Sequence, residues 1–409
     1  MAKTIFINRY FYPDHSATSQ MLSDLAFALA GDGGEVHVVT SRQLYDDPAA
    51  DLPALGSIHG VHIHRVWTTR FGRGGLLGRA IDYLSFYLSA AWCLLLTTRA
   101  HDQVIAKTDP PLISVIAMVV AALRGATLVN WVQDLFPEVA EGLDMKAVCV
   151  GAPFLRGLRN ISLRAARNNV VLGERMAARL LEQGVAPAAV TIIHNWSDAA
   201  AIQPVAAQHN PLRAQWGLSD KFVVGYSGNM GRAHEFTTLL DAAYHLRDEA
   251  GIVFLFIGSG IQRAWIEDEV GRRGLKNVLF KPYQPRGQLA LSLSVPDLHV
   301  ISLRPQLEGL IVPSKFYGIA AAGRPTLFIG DPDGEIPRIL NTHHCGATAA
   351  IGDAQAAVRY IRERAYGQPE LNEQQGRNAR AAFERCFAQA SAVDAWRCVL
   401  GQRVEEVYA

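Results

Sequence analysis

Along most of this chain, short runs of aliphatic and β-branched residues alternate with longer stretches of helical periodicity. In the first half, residues 4–7, 36–40, 103–105 and 127–132 read as buried strands, and residues 19–30 and 112–123 as helices between them. Residues 170–172 and 190–193 continue the series around a helix over 174–183 that Gly184 closes. From 195 to 220 the periodicity dissolves into Ala, Gln, Pro and Asn, the pattern of a connection between domains. The alternation then restarts, with strands over 222–226, 253–257, 278–280, 298–302 and 326–329 and helices over 236–247 and 264–273. Such alternation predicts an α/β protein of two doubly wound, Rossmann-like domains, with a central ligand cleft at the carboxyl ends of their strands. The expected boundaries are 1–200 for the first domain and 201–385 for the second. A last helix over 386–409 is expected to pack back on the first domain, and Phe383, Phe387, Val393, Trp396 and Leu400 are the tail's apolar positions.

Length agrees with that division, since 409 residues suit two domains of about 200 each. Lys and Arg number 39 against 38 Asp and Glu, so net charge offers no case for a nucleic-acid partner. The 5 cysteines form no C-x-x-C pair, which suggests neither a zinc site nor a disulfide framework and fits a reducing cytoplasm. The first apolar run is broken by Asn8 and Arg9, too early for a signal-peptide core. One helical stretch, 76–99, is apolar and aromatic (Tyr83, Phe86, Tyr87, Trp92), with Arg73 and Arg79 ahead of its most apolar part and Arg99 behind. Its charge-free runs are shorter than the ~20 residues of a membrane span, leaving two readings: a buried core helix, or a helix lying on a membrane surface.

Candidate chemistry sits where strands end. Arg9-Tyr-Phe-Tyr-Pro-Asp-His-Ser-Ala-Thr18 follows the first strand without the glycines of a dinucleotide fingerprint. It is either a solvated, capped loop or an acceptor site using Asp14, His15 and Thr18. Asp134, in Gln133-Asp-Leu-Phe-Pro-Glu138, is an acid/base or substrate ligand, or else a turn residue. Gly228-Asn-Met-Gly-Arg232 ends another strand in a glycine turn, a diphosphate cradle or simply a tight turn. Gly258 and Gly260 form a partial G-x-G pattern, and Tyr283 is placed to face a nucleobase or to occupy a plain turn. Glu308-Gly-Leu-Ile-Val-Pro-Ser-Lys-Phe-Tyr-Gly318 reads into a short helix, with Pro313 in its first turn, Ser314 capping it or touching an anion, and Lys315 adding charge. Asp331-Pro-Asp333 reads as a turn in preference to a metal site.

In their order, Phe11-Tyr-Pro13, Asp134-Leu-Phe-Pro-Glu138, His194-Asn-Trp-Ser-Asp198, Gly228-Asn-Met-Gly231, Val312-Pro-Ser-Lys315 and Ala320-Ala-Ala-Gly-Arg-Pro325 resemble the family 4 glycosyltransferases of GT-B architecture. The likeness points to the branch for colanic-acid, exopolysaccharide and O-antigen synthesis. It implies retaining transfer from a UDP-, GDP- or dTDP-sugar, bound by the second domain, to a lipid-linked saccharide bound by the first. It also implies no metal and no further cofactor, and a cytoplasmic enzyme at the inner membrane face. Donor residues would be Gly228, Asn229, Gly231, Arg232, Gly258, Tyr283, Pro313, Ser314 and Lys315, with Asp134 and Glu308 in the catalytic roles. The chain departs from the family pattern at Gly318, where many relatives carry the glutamate that holds the donor's ribose. A nucleotide-sugar epimerase or hydrolase and a catalytically inactive sugar-nucleotide binder are the competing readings.

Overall fold

Two units emerge from the strand-helix alternation: Met1–His194 together with the chain from Val393 on, and Asn195–Ala392. A computed structural model of the protein describes residues 2–72 and 75–402; Arg73 and the last part of the expected tail helix, 403–409, lie outside the described residues.

The first unit is built on β1 (Thr4–Ile7), β2 (Val36–Ser41), β3 (Leu55–Ile58), β4 (Val61–Val66), β5 (Gln103–Lys107), β6 (Thr127–Trp131), β7 (Asn168–Val171) and β8 (Val190–Ile192). They form an 8-stranded sheet in the order β3-β4-β2-β1-β5-β6-β7-β8, parallel except where β3 runs antiparallel to β4. Helices cover the sheet, so β1 and β2 are buried along their whole length and read as continuous apolar runs. Hairpin β3-β4 lay outside the sequence expectation. His59 and Gly60, both at positive φ, turn it, and its exposed β3 lacks an apolar face for a pattern to register.

Helix Leu76–Thr97 packs Phe86, Ala90 and Leu94 into this unit's core beside Ile5, Val104 and Ala117. The chain end adds Trp396, whose ring lies 4.8 Å from that of Trp131, and Gln103 donates to the Leu400 carbonyl at 2.8 Å. The division between units falls at 194/195 and 392/393, the latter inside helix Gln389–Val399, against the expected 200 and 385.

In the second unit, β9 (Phe222–Ser227), β10 (Ile252–Ile257), β11 (Val278–Lys281), β12 (Leu298–Ser302), β13 (Thr326–Ile329) and β14 (Gly346–Ala349) make a 6-stranded sheet in the order β11-β10-β9-β12-β13-β14. Every pairing in it is parallel. Residues 195–220, expected as a connection, fold as part of this unit. Asn210 caps helix Pro211–Gln215 by accepting from Leu212 N–H, and Arg213 pairs with Asp297 at 2.9 Å while donating to the carbonyls of Val295, Leu218 and Lys221. Buried polar anchors replaced apolar periodicity there, which is why the pattern faded.

Each sheet has one place where the connections leave in opposite directions. In the first it lies between β1 and β5, in the second between β9 and β12. Loops diverge at such switch points and open a crevice at the carboxyl ends of the strands, where α/β sheets bind ligands.

Candidate active site

The glycine turn after β9 occupies the second unit's switch point. Gly228 has φ +122°, Gly258 +129° and Gly260 +152°, backbone conformations that side-chain-bearing residues rarely adopt. The turns after β9 and β10 dock backbone to backbone. Met230 N–H donates to Ser259 O at 2.8 Å, and a Cβ on Gly260 would fall 2.5 Å from Met230 N. Among the described residues, the N–H groups of Asn229, Gly231 and Arg232 donate to no protein acceptor, which leaves an N–H-rich turn of the kind that binds phosphate oxygens. Arg232 is exposed beside it. Tyr283, 57 % exposed, stands against the turn after β10, where a Cβ on Gly258 would meet its ring at 3.2 Å.

Lys315 lies beneath this turn. Its Nζ donates to Tyr226 Oη at 2.7 Å and Asn229 O at 3.1 Å, and meets His234 Nε2 at 2.8 Å. His234 Nδ1 lies 2.6 Å from Ser302 O at the end of β12, so it carries the proton and leaves Nε2 to accept from the lysine. Burial pulls His234 down to about 3, with Lys315 acting in the same direction, and pulls Lys315 down to about 7. Tyr226 and His234 had no signal in the sequence beyond lying on and just after the strand that leads into the glycines.

The rest of the Glu308–Gly318 segment differs from expectation. The helix begins at Lys315 and runs only 7 residues, to Ala321. Pro313 precedes it. Ser314 sits at the cap position with φ −63° and ψ −15°, already helical, so its hydroxyl makes no cap bond. A Cβ on Gly318 would point at Leu293, Ser197 and Ile202. Glu308, 6 % exposed, turns its carboxylate to the first turn of helix Glu335–His343 and accepts from Glu335 N–H at 3.2 Å. The geometry gives Glu308 a helix end as its partner. Asp331 accepts from Asp333 N–H at 3.0 Å, closing the turn expected there.

In the first unit, the loop after β1 is organised by Asp14. Its carboxylate accepts from Ser16 N–H and Oγ–H and from Tyr45 N–H, so it is committed to shaping the loop ahead of helix Ala17–Gly31. His15 is exposed, and the Thr18 carbonyl receives Lys107 Nζ at 2.9 Å. Lys107 is buried over the Trp131 ring, and burial drives it well below the usual lysine range. Asp134 follows β6 next to this lysine. It stays solvent-accessible, yet the protein crowding its sides pushes the carboxyl up to about 6 against the pull of Lys107. Among the described residues, no group of three or more His, Cys, Asp or Glu side chains could hold a metal ion.

Known proteins of similar sequence and fold accompany this geometry. A family model described as a glycosyl transferase 4-like domain matches residues 17–196. WcaI of Escherichia coli (strain K12), assigned by name to colanic acid biosynthesis as a glycosyl transferase, is 27 % identical over 348 residues, covering 81 % of this chain and 84 % of that protein. The chain is similar to such glycosyltransferases over most of its length, and the family model covers most of its first unit. Solved structures share the fold, GT-B. Sucrose-phosphate synthase from Thermosynechococcus elongatus superposes with TM-score 0.77 at 16 % identity, over 98 % of this chain and 99 % of that one. HepE of Anabaena, solved with UDP-glucose, superposes with TM-score 0.72 at 15 % identity, over 98 % and 100 %.

Proposed function

We propose that this transferase moves a hexose, with retention, from a nucleoside-diphosphate sugar to a lipid-linked saccharide in cell-surface polysaccharide synthesis. The observation that carries the reading is the glycine turn at the second unit's switch point, with N–H groups above that are unengaged among the described residues and a lysine below that has no carboxylate partner among them. A departing diphosphate gains negative charge, and fixed N–H dipoles, Arg232 and Lys315 are groups that stabilise it without needing a metal ion. Tyr283 offers its exposed ring to the base. Asp134, ionised above about pH 6, accepts from the acceptor hydroxyl and orients it. WcaI supports a polysaccharide product, and the UDP-glucose of HepE supports a nucleotide-sugar donor.

The lipid-linked acceptor draws support from the first unit. Opposite the buried face of helix Leu76–Thr97, Leu77, Ile81, Leu84, Leu88, Trp92 and Leu96 are all exposed, Leu77 by 82 %. Neighbouring helices Ile113–Arg124 and Ala152–Ala165 add Val119, Leu123, Phe154 and Ile161. The one acidic residue on the three helices, Asp82, is buried, while Arg99, Arg124, Arg164 and Arg167 are exposed at or just past their C-terminal ends. An apolar face with a cationic edge suits the surface of an anionic bilayer, and we place the enzyme peripherally on the cytoplasmic leaflet.

The test is turnover of UDP-, GDP- and dTDP-sugars by the full chain, with and without membrane-extracted lipid-linked saccharides, and NMR of the product's anomeric configuration. Acceptor-dependent nucleotide release that survives EDTA, with retention, is expected. Acceptor-free turnover would make the protein a hydrolase or epimerase, and binding without turnover would make it an inactive binder.

A further inference from the structure

The first unit's own switch point holds a cavity of about 140 Å³ that the donor chemistry does not use. Arg9 follows β1, Gln43 follows β2 and Asp109 follows β5, while Arg79, Asp82 and Tyr83 descend from helix Leu76–Thr97. Pockets for drug-sized ligands run to roughly 300–1,000 Å³, so this one takes a single ring and not a nucleotide. Its walls carry both signs. Arg9 is fixed by Gln43 Oε1 at 3.3 Å, by Asp82 at 3.8 Å and by the faces of Tyr10 and Tyr83. Asp82 is consumed by Thr69 Oγ1 and by the Phe71 and Gly72 N–H groups. Two groups are uncommitted: among the described residues, neither the Asp109 carboxylate nor the Arg79 guanidinium has a hydrogen bond or ion pair.

A carboxylate only accepts and a guanidinium only donates, whereas a hydroxyl does both. An anionic ligand would face Asp82 and Asp109, and a cationic one Arg9 and Arg79. A neutral ring bearing adjacent hydroxyls satisfies both free groups and lays its C–H face on the tyrosines. Burial pushes Asp109 up to about 6, with Arg9 and Lys107 opposing and Asp134 and Asp14 adding to it, so near neutral pH the carboxylate form is present to accept.

We propose that this cavity is a monosaccharide subsite, selecting one neutral pyranose of the acceptor through Asp109 and Arg79. The proposal rests on the transferase reading for what the sugar is doing there. Its test does not depend on catalysis. Saturation-transfer NMR on the full chain would use neutral methyl glycosides (glucoside, galactoside, mannoside, N-acetylglucosaminide), the charged methyl glucuronide and methyl glucosaminide, and UDP, GDP and dTDP in parallel samples. At least one neutral glycoside is expected to bind. Asp109→Asn and Arg79→Gln should each weaken it by about tenfold or more, the cost of losing a hydrogen bond to a charged group. Nucleotide binding and Tm should be unchanged, and Arg99→Gln, beyond the same helix, should have no effect. Failure of every neutral glycoside while a nucleotide binds, preference for a charged glycoside, or equal binding by both variants would overturn the subsite. Loss of nucleotide binding alone would count against the transferase reading and leave the glycoside result to decide the pocket. Arg79 lies on the helix, so its variant decides the matter should Asp109→Asn fold poorly.

Discussion

Lys315 spends its hydrogen bonds on a tyrosine, a carbonyl and a neutral histidine, none of which neutralises it. In the proposed donor role, its pKa of about 7 predicts proton-linked binding: a diphosphate would favour the ammonium, so affinity should fall as pH rises through that value. Asp134 works in the opposite sense, becoming an acceptor only as pH rises through about 6. The two give a bell-shaped kcat/KM profile with limbs near those values. Lys315→Met should flatten the alkaline limb and weaken the donor by about tenfold or more, and Asp134→Asn should remove the acid limb; an unchanged profile in both would dismiss the assignments. Glu308 calls for a different readout. As the partner of Glu335 N–H it should, when changed to Gln, cost about 1 kcal/mol and roughly 2–4 °C in Tm with kcat largely kept. A full-length Tm with kcat down by orders of magnitude would return Glu308 to the chemistry. The glycine turn was legible because Gly228 follows directly on β9, whereas Lys315 opens a helix and its place beneath that turn was not. The direction of the Glu308 and Gly318 positions was not legible, since helix start and loop shape decide it and the helix begins only at Lys315, past the expected Pro313.

Among the elements, helix Leu76–Thr97 shows what a pattern can and cannot say. The sequence left two readings, core or membrane surface; the structure buries Phe86, Ala90 and Leu94 against the sheet and leaves Leu84, Leu88 and Trp92 exposed on the other side. A helix apolar on nearly all sides gives no periodic contrast, so only the structure separates the faces. Each exposed leucine contributes about 1.5–3 kcal/mol when removed from water. The double variant Leu84→Glu, Leu88→Glu should therefore cut sedimentation with phosphatidylglycerol-containing vesicles by about tenfold or more, with Tm retained because neither side chain is in the core. Reversing Arg124 and Arg164 to Glu should leave binding to neutral vesicles and weaken it only on anionic ones. Sedimentation insensitive to all four changes would remove the membrane face. Strands β1, β12 and β13 were legible to the residue, because full burial on both faces writes itself as an unbroken apolar run. β14, Gly-Ala-Thr-Ala, was not: its small residues carry little hydrophobic signal, and Gly346 is required because a Cβ there would meet Thr326 O at 2.0 Å.

At the scale of the whole molecule, the sequence order of strands and helices was enough to foretell two doubly wound sheets, because parallel pairing needs a crossover at each step. It could not foretell the strand order, and strand order sets the two switch points. Those place a phosphate-suited turn after β9 and a polyol-suited cavity after β1 and β5, in separate units with separate cores. The ligands should then be separable as well. A nucleotide that binds only the native second unit, at 100 times its Kd, adds about 2.7 kcal/mol and raises that unit's Tm by roughly 5–10 °C. Hydrogen exchange read alongside the melt should show the new protection confined to the β9 and β10 turns, Gly228–Arg232 and Gly258–Gly260, and around Tyr283, with the loops after β1 and β5 unaffected. A saturating methyl glycoside should protect the latter loops and spare the former. If UDP, GDP and dTDP all leave the melt unmoved, or if nucleotide protection appears first around Arg9 and Asp109, the division of labour between the two sheets is refuted.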